Sequence, residues 1–251
     1  MKKAILAASL TTLLCANAQA DTLLGLYIGG QIWANEAEGS FGEGELDQAV
    51  FNFDDENQGS FFVALEHPIP LIPNIKIAST TLDTVGGATI TGSFTFEGET
   101  YNANSELDTT FDASYIDYTF YYEVLDNDLL TLDFGITARD LDSQIKVVEQ
   151  ASAQSSELSV SGIVPLFYVN TIVGLPFTGF NIFAEANFLS YDDNTVYDYQ
   201  VGVSYELLDN IAVDLDLTLG YRSVKLELND LDDLYSDLTF EGVFAGAIVH
   251  F

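Results

Sequence analysis

The sequence predicts an all-β protein: a transmembrane antiparallel up-and-down β-barrel, most simply of ten strands, that follows a cleaved signal peptide. Three observations predict it: a secretory leader at the N-terminus, apolar residues at alternate positions over many segments, and an aromatic residue, Phe251, at the end of the last such segment. Beyond the leader, no stretch approaches the roughly 18 apolar residues of a spanning helix. A closed barrel is the other structure that satisfies all backbone hydrogen bonds in lipid.

The N-terminal 20 residues have the layout of a secretory signal. Lys2 and Lys3 precede an apolar run over 4–14, and Ala18-Gln19-Ala20 supplies the small residues of a cleavage site. We expect cleavage after Ala20, which leaves 21–251 as a single barrel domain. A lipoprotein is the alternative because Cys15 ends the apolar run, but Leu14 stands where a lipoprotein signal has a small residue.

The composition combines a high acidic charge with a high apolar content. The chain carries 39 acidic and seven basic residues, a formal net charge of −32, yet 48% of its residues are hydrophobic. Such a charge argues against nucleic acid as a partner, because phosphates are neutralised by Lys and Arg. The single cysteine lies in the leader, so that the mature chain has no disulfide, thiolate metal site or cysteine nucleophile.

Two consecutive segments, 196–207 and 211–222, alternate most regularly and are separated by a short turn at 208–210. A membrane strand needs about 9–11 residues, apolar towards lipid and polar or small towards the lumen. The apolar faces are Tyr197, Tyr199, Val201, Val203, Tyr205 and Leu207, then Ile211, Val213, Leu215, Leu217, Leu219 and Tyr221. The opposite faces carry carboxylates, glycine and Arg222, as a polar lumen requires.

Further segments alternate in the same way, some of them less perfectly. In chain order they cover 24–32, 61–66, 75–82, 115–124, 130–139, 164–173, 180–188 and 243–251. A soluble β-sandwich is the alternative, since its strands also bury one face. Carboxylates and glycines on the polar faces favour the membrane, and so do tyrosines at the ends of the apolar faces: Tyr118, Tyr122, Tyr197 and Tyr221.

Short turns and long or acidic loops separate the segments. The short turns are 67–74, 125–128, 174–179 and 208–210; the loops are 35–59, 83–109, 139–158, 191–195 and 228–237. Four periplasmic turns and five external loops between periplasmic termini give ten strands. The segment 83–109 is either a loop or a hairpin that extends two strands past the membrane, with a turn at 97–100 and a bulge or bend at Gly86-Gly87.

The chain resembles a family of small, uncharacterised outer-membrane β-barrel proteins of gammaproteobacteria. The resemblance rests on 66–75 (EHPIPLIPNI), on 121–127 (YYEVLDN) and on Phe251. It implies the Gram-negative outer membrane, with outer-membrane lipid and lipopolysaccharide as surroundings, and an association by co-occurrence with a GlyGly-type sorting system. A terminal aromatic residue like Phe251 looks like the assembly signal that the barrel-assembly machinery reads during insertion. The family brings no established substrate.

We expect no enzyme activity and no cofactor. An omptin-type protease needs a His–Asp pair at the outer rim, whereas both histidines, His67 and His250, fall at the predicted periplasmic end. Carboxylates inside the barrel are predicted to pair with basic groups or water rather than to catalyse. The predicted lumen-facing polar residues are Arg139, Glu185, Asp198, Glu206, Asp214, Asp216 and Arg222.

Two hypotheses about function follow. The first is a structural or binding role through long acidic extracellular loops, and the alternative is a narrow, cation-preferring channel. Oxygen-rich clusters suit divalent cations, so that Asp230, Asp232 and Asp233 are weak candidates for a metal site, although their spacing is not that of an EF-hand. Apolar residues in the first loop either bind a partner or pack over the barrel mouth: Phe41, Val50, Phe51 and Phe53.

Overall fold

The computed structural model describes residues 24–45, 47–127, 129–210, 213–231 and 234–251, without the side chains of Asp230 and Leu231. The predicted signal peptide and its cleavage site lie outside these residues. No helix among them is long and apolar enough to cross a membrane.

The described residues form fifteen strands. They are β1 (Gly25–Gly42), β2 (Ala49–Phe53), β3 (Glu56–Glu66), β4 (Asn74–Thr80), β5 (Asp83–Thr89), β6 (Phe94–Phe96), β7 (Glu99–Tyr101), β8 (Glu106–Asp112), β9 (Tyr115–Asn127), β10 (Leu130–Glu149), β11 (Ser155–Leu175), β12 (Phe180–Tyr191), β13 (Asn194–Leu208), β14 (Asp214–Leu231) and β15 (Leu234–His250).

Ten of these strands close into an antiparallel ring. The order is β1, β3, β4, β9, β10, β11, β12, β13, β14 and β15, and β15 pairs back with β1. The predicted ten-stranded barrel is therefore confirmed. On the most regular strand, β13, Val201 points outward and is 44% exposed, whereas Asp198 points inward and is 6% exposed. The alternation in the sequence thus follows the two sides of the wall.

Several ring strands continue well beyond the length that a membrane requires. β10 has 20 residues and β11 has 21, compared with the roughly 9–11 of a tilted membrane strand. The predicted loops at 35–59 and 139–158 are therefore wrong, because most of these residues lie in β1, β2, β3, β10 and β11. In this outer region β2, β5 and β8 bridge β1 to β10 in place of β3, β4 and β9.

Both termini of a bacterial barrel lie at the periplasmic end, so we call the opposite, outer region the extracellular sleeve: β2, β5 and β8 with the outer parts of β1, β10, β11, β14 and β15. At the boundary of the sleeve, the same alternate residues of a strand continue to face outward, but these outward residues change from apolar to acidic. On β10, Phe134 and Ile136 face outward in the membrane, but Asp140 and Asp142 face outward in the sleeve. The sleeve is thus apolar inside and acidic outside, as expected where water replaces lipid around the wall.

Two other predicted loops consist mostly of strand residues. The segment 191–195 is a hairpin in which Asp192 and Asp193 have φ of 50° and 66°, the left-handed pair that a two-residue hairpin turn needs. The segment 228–237 mostly belongs to β14 and β15, which end and begin at Leu231 and Leu234. Acidity of these segments therefore marks a solvated wall, not a long loop.

The segment 83–109 is the extended hairpin, so that the loop interpretation is wrong. β5 pairs with β8, and β6 pairs with β7 across a turn at Glu97-Gly98. The predicted bulge at Gly86-Gly87 is also wrong, because the β5–β8 register runs through both residues without a shift. Gly86 instead permits close approach of β2: a Cβ there would lie 2.8 Å from the carbonyl oxygen of Asn52.

Candidate functional site

The lumen consists of three layers stacked along the barrel axis. An apolar core fills the extracellular sleeve, an ionic layer crosses the middle, and a cavity lies at the periplasmic end. The middle and periplasmic layers contain most polar residues that the sequence predicts inside the barrel. Together these layers decide whether anything can pass through the barrel or bind inside it.

The ionic layer is built from two arginines and two aspartates. Arg139 on β10 donates to both carboxylate oxygens of Asp117 on β9 at 2.8 Å, and its Nη2 also donates to Asp198 on β13 at 2.9 Å. Arg222 on β14 donates to both oxygens of Asp198 at 2.9 and 2.8 Å. The formal charges balance, and all four side chains are buried.

Hydrogen bonds of this layer connect opposite sides of the ring. The hydroxyl of Tyr115 on β9 donates to Asp198 at 2.6 Å and accepts from Arg222 at 2.9 Å. Arg222 also donates to the Thr80 hydroxyl on β4 at 3.4 Å. Because β4 and β9 lie across the lumen from β13 and β14, these bonds link opposite walls of the barrel.

Aromatic rings cover the two guanidinium groups. The Arg139 guanidinium carbon lies 3.6 Å from the centre of the Tyr115 ring, and that of Arg222 lies 5.2 Å from the centre of Trp33. Cation–π attraction adds to the ion pairs in such a desolvated setting. Arg139 Nη1 and Trp33 Nε1 have no hydrogen-bond partner among the described residues. The layer therefore contains two buried nitrogen donors whose hydrogen bonds are not satisfied by these residues.

The apolar core lies on the extracellular side of this layer. Phe41 stacks on Phe51 at 4.6 Å between ring centres, and both contact Phe94 of the β6–β7 hairpin. Of the two interpretations for the apolar residues of the first predicted loop, packing therefore applies to Phe41 and Phe51, whereas Val50 is 72% exposed. Phe53 packs against the core and is partly buried.

The buried hydroxyl of Tyr101 is anchored within this core by a hydrogen bond. Tyr101 lies 2.7 Å from the Ser156 hydroxyl, and its burial raises its pKa above the usual range. The phenol therefore stays neutral at physiological pH. It joins the hairpin to β11 without placing a charge in the apolar core.

The cavity at the periplasmic end has a volume of about 360 Å³. Its wall includes a single lysine, Lys76, whose ammonium lies 2.5 Å from Glu185. The carboxylates that line it are Glu66, Glu123, Asp126, Asp133, Glu185 and Asp216. Aromatic side chains form much of the remaining wall, among them Tyr27, Phe62, Tyr121 and Tyr168. The cavity is thus strongly acidic and partly aromatic.

The predicted lumen residues separate into three groups. Arg139, Asp198 and Arg222 meet in the ionic layer, and Glu185 and Asp216 line the cavity. The two remaining predicted residues, Asp214 and Glu206, lie near the periplasmic rim. Asp214 is 3.5 Å from His250 Nδ1, and Glu206 is exposed.

Both histidines also belong to the periplasmic end. His67 and His250 line the cavity. Ile248 lines it too, whereas Phe244 packs into the apolar core. Phe251 pairs with the Leu26 backbone through two hydrogen bonds of 3.0 and 3.3 Å, and its role as an assembly signal stays a prediction.

Sequence reasoning missed Asp117 and Tyr115 in the ionic layer. Their positions carry a usable signal, because Tyr118 and Tyr122 were placed outward and residues of odd number on β9 must then face inward. Of the candidate metal ligands, Asp232 and Asp233 lie outside the described residues, and the side chain of Asp230 is not described. Within the described part of the chain, no three His, Cys, Asp or Glu side chains are grouped closely enough to hold a metal ion.

Solved outer-membrane barrels share this architecture. The outer membrane protease OmpT of Escherichia coli superposes with a TM-score of 0.51 at 11% identity, over 90% of this chain and 96% of that one. The translocator domain of the autotransporter NalP from Neisseria meningitidis gives 0.46 at 12% identity, over 99% and 95%. Neisserial surface protein A gives 0.34 at 14% identity, over 90% and 97%.

The likeness to OmpT concerns the fold alone and leaves the function open. No protein-family model matches the sequence, and none of the curated proteins matches it significantly. The chain has the fold of an outer-membrane β-barrel.

Proposed function

We propose that this outer-membrane β-barrel protein is a closed barrel with a structural or binding role, exerted through the acidic outer surface of its extracellular sleeve. The observation that carries the proposal is the ionic layer, where side chains from opposite walls are hydrogen-bonded across the lumen. The apolar core behind it supports the same conclusion. A ten-stranded barrel lies near the size at which side chains fill the interior, and dry apolar constrictions oppose ion passage.

The outer surface of the sleeve is the part available to partners outside the cell. Its strands present carboxylates at alternate positions, among them Glu36, Glu38, Asp140 and Asp142, all of them exposed. Carboxylate oxygens are ligands that divalent cations prefer. Divalent cations shared with the phosphates of lipopolysaccharide are therefore the partners that we propose for this surface.

The alternative function, a narrow cation-preferring channel, draws support from the acidic cavity. Cations would concentrate there, but the route outward meets the buried guanidinium groups of Arg139 and Arg222. We propose further that the protein is not an enzyme. Both histidines lie at the periplasmic cavity, and the likeness to a protease concerns the fold.

Conductance in a planar lipid bilayer tests the proposal. We expect no discrete current steps from the refolded barrel, because the lumen is closed by both the ionic layer and the apolar core. Reproducible steps with cation selectivity would replace the proposal with the channel hypothesis.

A matched pair of cysteine variants supplies a second readout. Val224→Cys introduces a thiol into the apolar core, where Val224 is fully buried, and Val50→Cys introduces one on the exposed face of β2. A charged maleimide is expected to label only the second variant. Labelling of both at similar rates would mean that water fills the sleeve.

Two further proposals concern the processing of the N-terminus and the family to which the chain belongs. We propose that the signal peptide is cleaved after Ala20, which the N-terminal sequence of the mature protein tests. We also propose membership of the gammaproteobacterial family linked to GlyGly-type sorting. That proposal is supported by 66–75 and 121–127, which in the structure supply a periplasmic turn and the end of β9.

A further inference from the structure

We infer that the periplasmic cavity is a binding site for a small organic cation with alkylammonium or guanidinium groups on a short apolar body. The inference goes beyond the proposed function, which concerns the opposite face of the membrane. It rests on one buried, unpartnered carboxylate oxygen, on the composition of the cavity wall, and on the way in which the chain's own ammonium group is held there.

Asp133 is the first observation. Its side chain lines the cavity although the residue is only 3% exposed. One oxygen, Oδ2, accepts a hydrogen bond from Asn170 at 2.8 Å, whereas Oδ1 has no donor among the described residues. A buried carboxylate oxygen without a donor is costly, so a donor that enters the cavity would be stabilised at this position.

The charge of the wall is the second observation. Six carboxylates and one lysine, Lys76, line the cavity. The ammonium group of Lys76 is already paired with Glu185. An incoming cation would relieve the repulsion between these groups. At about 360 Å³, the cavity falls within the range of small-molecule sites, roughly 300–1,000 Å³.

The position of Lys76 indicates which kind of cation fits. Its ammonium lies 4.6 Å from the centre of the Phe62 ring and 5.8 Å from that of Tyr168, while it contacts Glu185. The wall therefore already holds one alkylammonium group between a carboxylate and aromatic faces. A second such group, near Asp133 and the Tyr121 ring, would find the same chemistry.

An organic cation fits better than a directly coordinated metal ion. Although acids are numerous, no three of the described His, Cys, Asp and Glu side chains come together as a metal-binding group. Some of the acids also have their own donors: Glu66 accepts from Tyr121 at 2.7 Å and Asp126 from Thr131 at 3.1 Å. The carboxylates come from five strands around the wall, β3, β9, β10, β12 and β14, and so suit a ligand that carries more than one positive charge.

Calorimetric titration of the folded barrel in detergent with 1,5-diaminopentane tests the inference, with 1,5-pentanediol as the uncharged control. We expect saturable binding of one diamine and none of the diol. Asp133→Asn is expected to weaken binding about tenfold or more, the loss of one charge-assisted hydrogen bond. Asp55→Asn makes the same substitution at an exposed residue between β2 and β3, away from the cavity, and is expected to leave binding unchanged.

Three results would overturn the inference: no saturable binding of the diamine, equal weakening by Asp133→Asn and Asp55→Asn, or displacement of the diamine by equimolar Mg²⁺. If Asp133→Asn fails to fold, as judged by the fluorescence of the single tryptophan, Glu66→Gln replaces it under the same criteria. The bilayer experiment is independent of these outcomes, because a closed barrel can bind or fail to bind a ligand from the periplasm.

Discussion

The two halves of the lumen are filled by different kinds of side chain, apolar in one and charged in the other. In the extracellular sleeve, apolar side chains such as Phe41 and Leu238 meet in a buried apolar core. In the membrane half, Arg139, Asp198 and Arg222 fill the cross-section with hydrogen-bonded charges. The outer surface of the sleeve faces water, and its apolar residues point inward. In the membrane half the apolar residues point outward to lipid, and the polar residues point inward.

The difference indicates how each half is held together. The sleeve gains stability as a soluble protein does, from burial of apolar area, about 25 cal/mol per Å². The ionic layer gains little in net terms, since the attraction between buried charges is offset by the cost of removing them from water. Its geometry is nevertheless restrictive, because each charge depends on a partner from another strand. Substitutions should therefore affect the two halves in different ways.

The largest effect is expected for Asp198→Asn. This carboxylate accepts hydrogen bonds from Arg139, Arg222 and Tyr115, so its neutralisation leaves the two buried guanidinium groups with one carboxylate between them. We expect a loss of about 4 kcal/mol in the free energy of unfolding, the scale of a broken buried ion pair. Denaturant titration in lipid vesicles, followed by Trp33 fluorescence, measures it.

Asp140→Asn is the matched control, because Asp140 is exposed on the next outward position of β10. It should change the free energy of unfolding by no more than roughly 0.5 kcal/mol, as surface substitutions usually do. Similar losses in the two variants would mean that the ionic layer is hydrated, and the contrast between the halves would disappear.

A smaller effect is expected for Leu238→Ala in the apolar core. Leu238 is 1% exposed and lies in the cluster that fills the sleeve. Its truncation removes apolar burial and leaves a cavity, for which a loss of about 3 kcal/mol is typical. Val50→Ala, on the exposed face of β2, provides the comparison and should have little effect. If the two variants unfold at the same denaturant concentration, the sleeve does not have a dry core.

The sequence was sufficient for the ten-stranded ring but not for the sleeve, and the reason is physical. Within the membrane, apolar residues outward and polar residues inward produce an alternation that can be recognised, as on β13. The alternation continues above the membrane with inverted polarity: Ala37 and Phe41 face inward on β1, and Glu36 and Glu38 face outward. The apolar outward face therefore stops at the membrane surface. From sequence alone, the acidic continuation of each strand is then predicted to be a loop.

The ionic layer and the cavity were only partly predictable. Parity along each strand puts Arg139, Asp198 and Arg222 inside the barrel. It does not determine their depth along the axis or which strands face each other, because these depend on strand tilt and register. The pairing of Lys76 with Glu185 joins residues 109 positions apart in the sequence. Such a contact follows from closure of the ring rather than from any local pattern.

The smallest effect is expected for Lys225→Met on the outer face of the sleeve, where water reduces the value of an ion pair. Lys225 lies 3.1 Å from Glu227 and 3.4 Å from Asp237. The hydrogen bond to Glu227 and the attraction of Asp237 raise the pKa of Lys225 against the opposing effect of partial burial. Screening by solvent limits the contribution to roughly 0.2–1 kcal/mol.

The pH dependence of that contribution has a definite sign. Because the folded state has the higher pKa, the stabilisation is complete below the usual lysine pKa and is lost as pH rises through the raised value. The variant should thus be slightly less stable than the parent barrel at neutral pH, and the difference should shrink in strong alkali and in high salt. A loss comparable with that of Asp198→Asn would mean that the outer face of the sleeve is as dry as the ionic layer, which contradicts the inverted polarity on which the comparison rests.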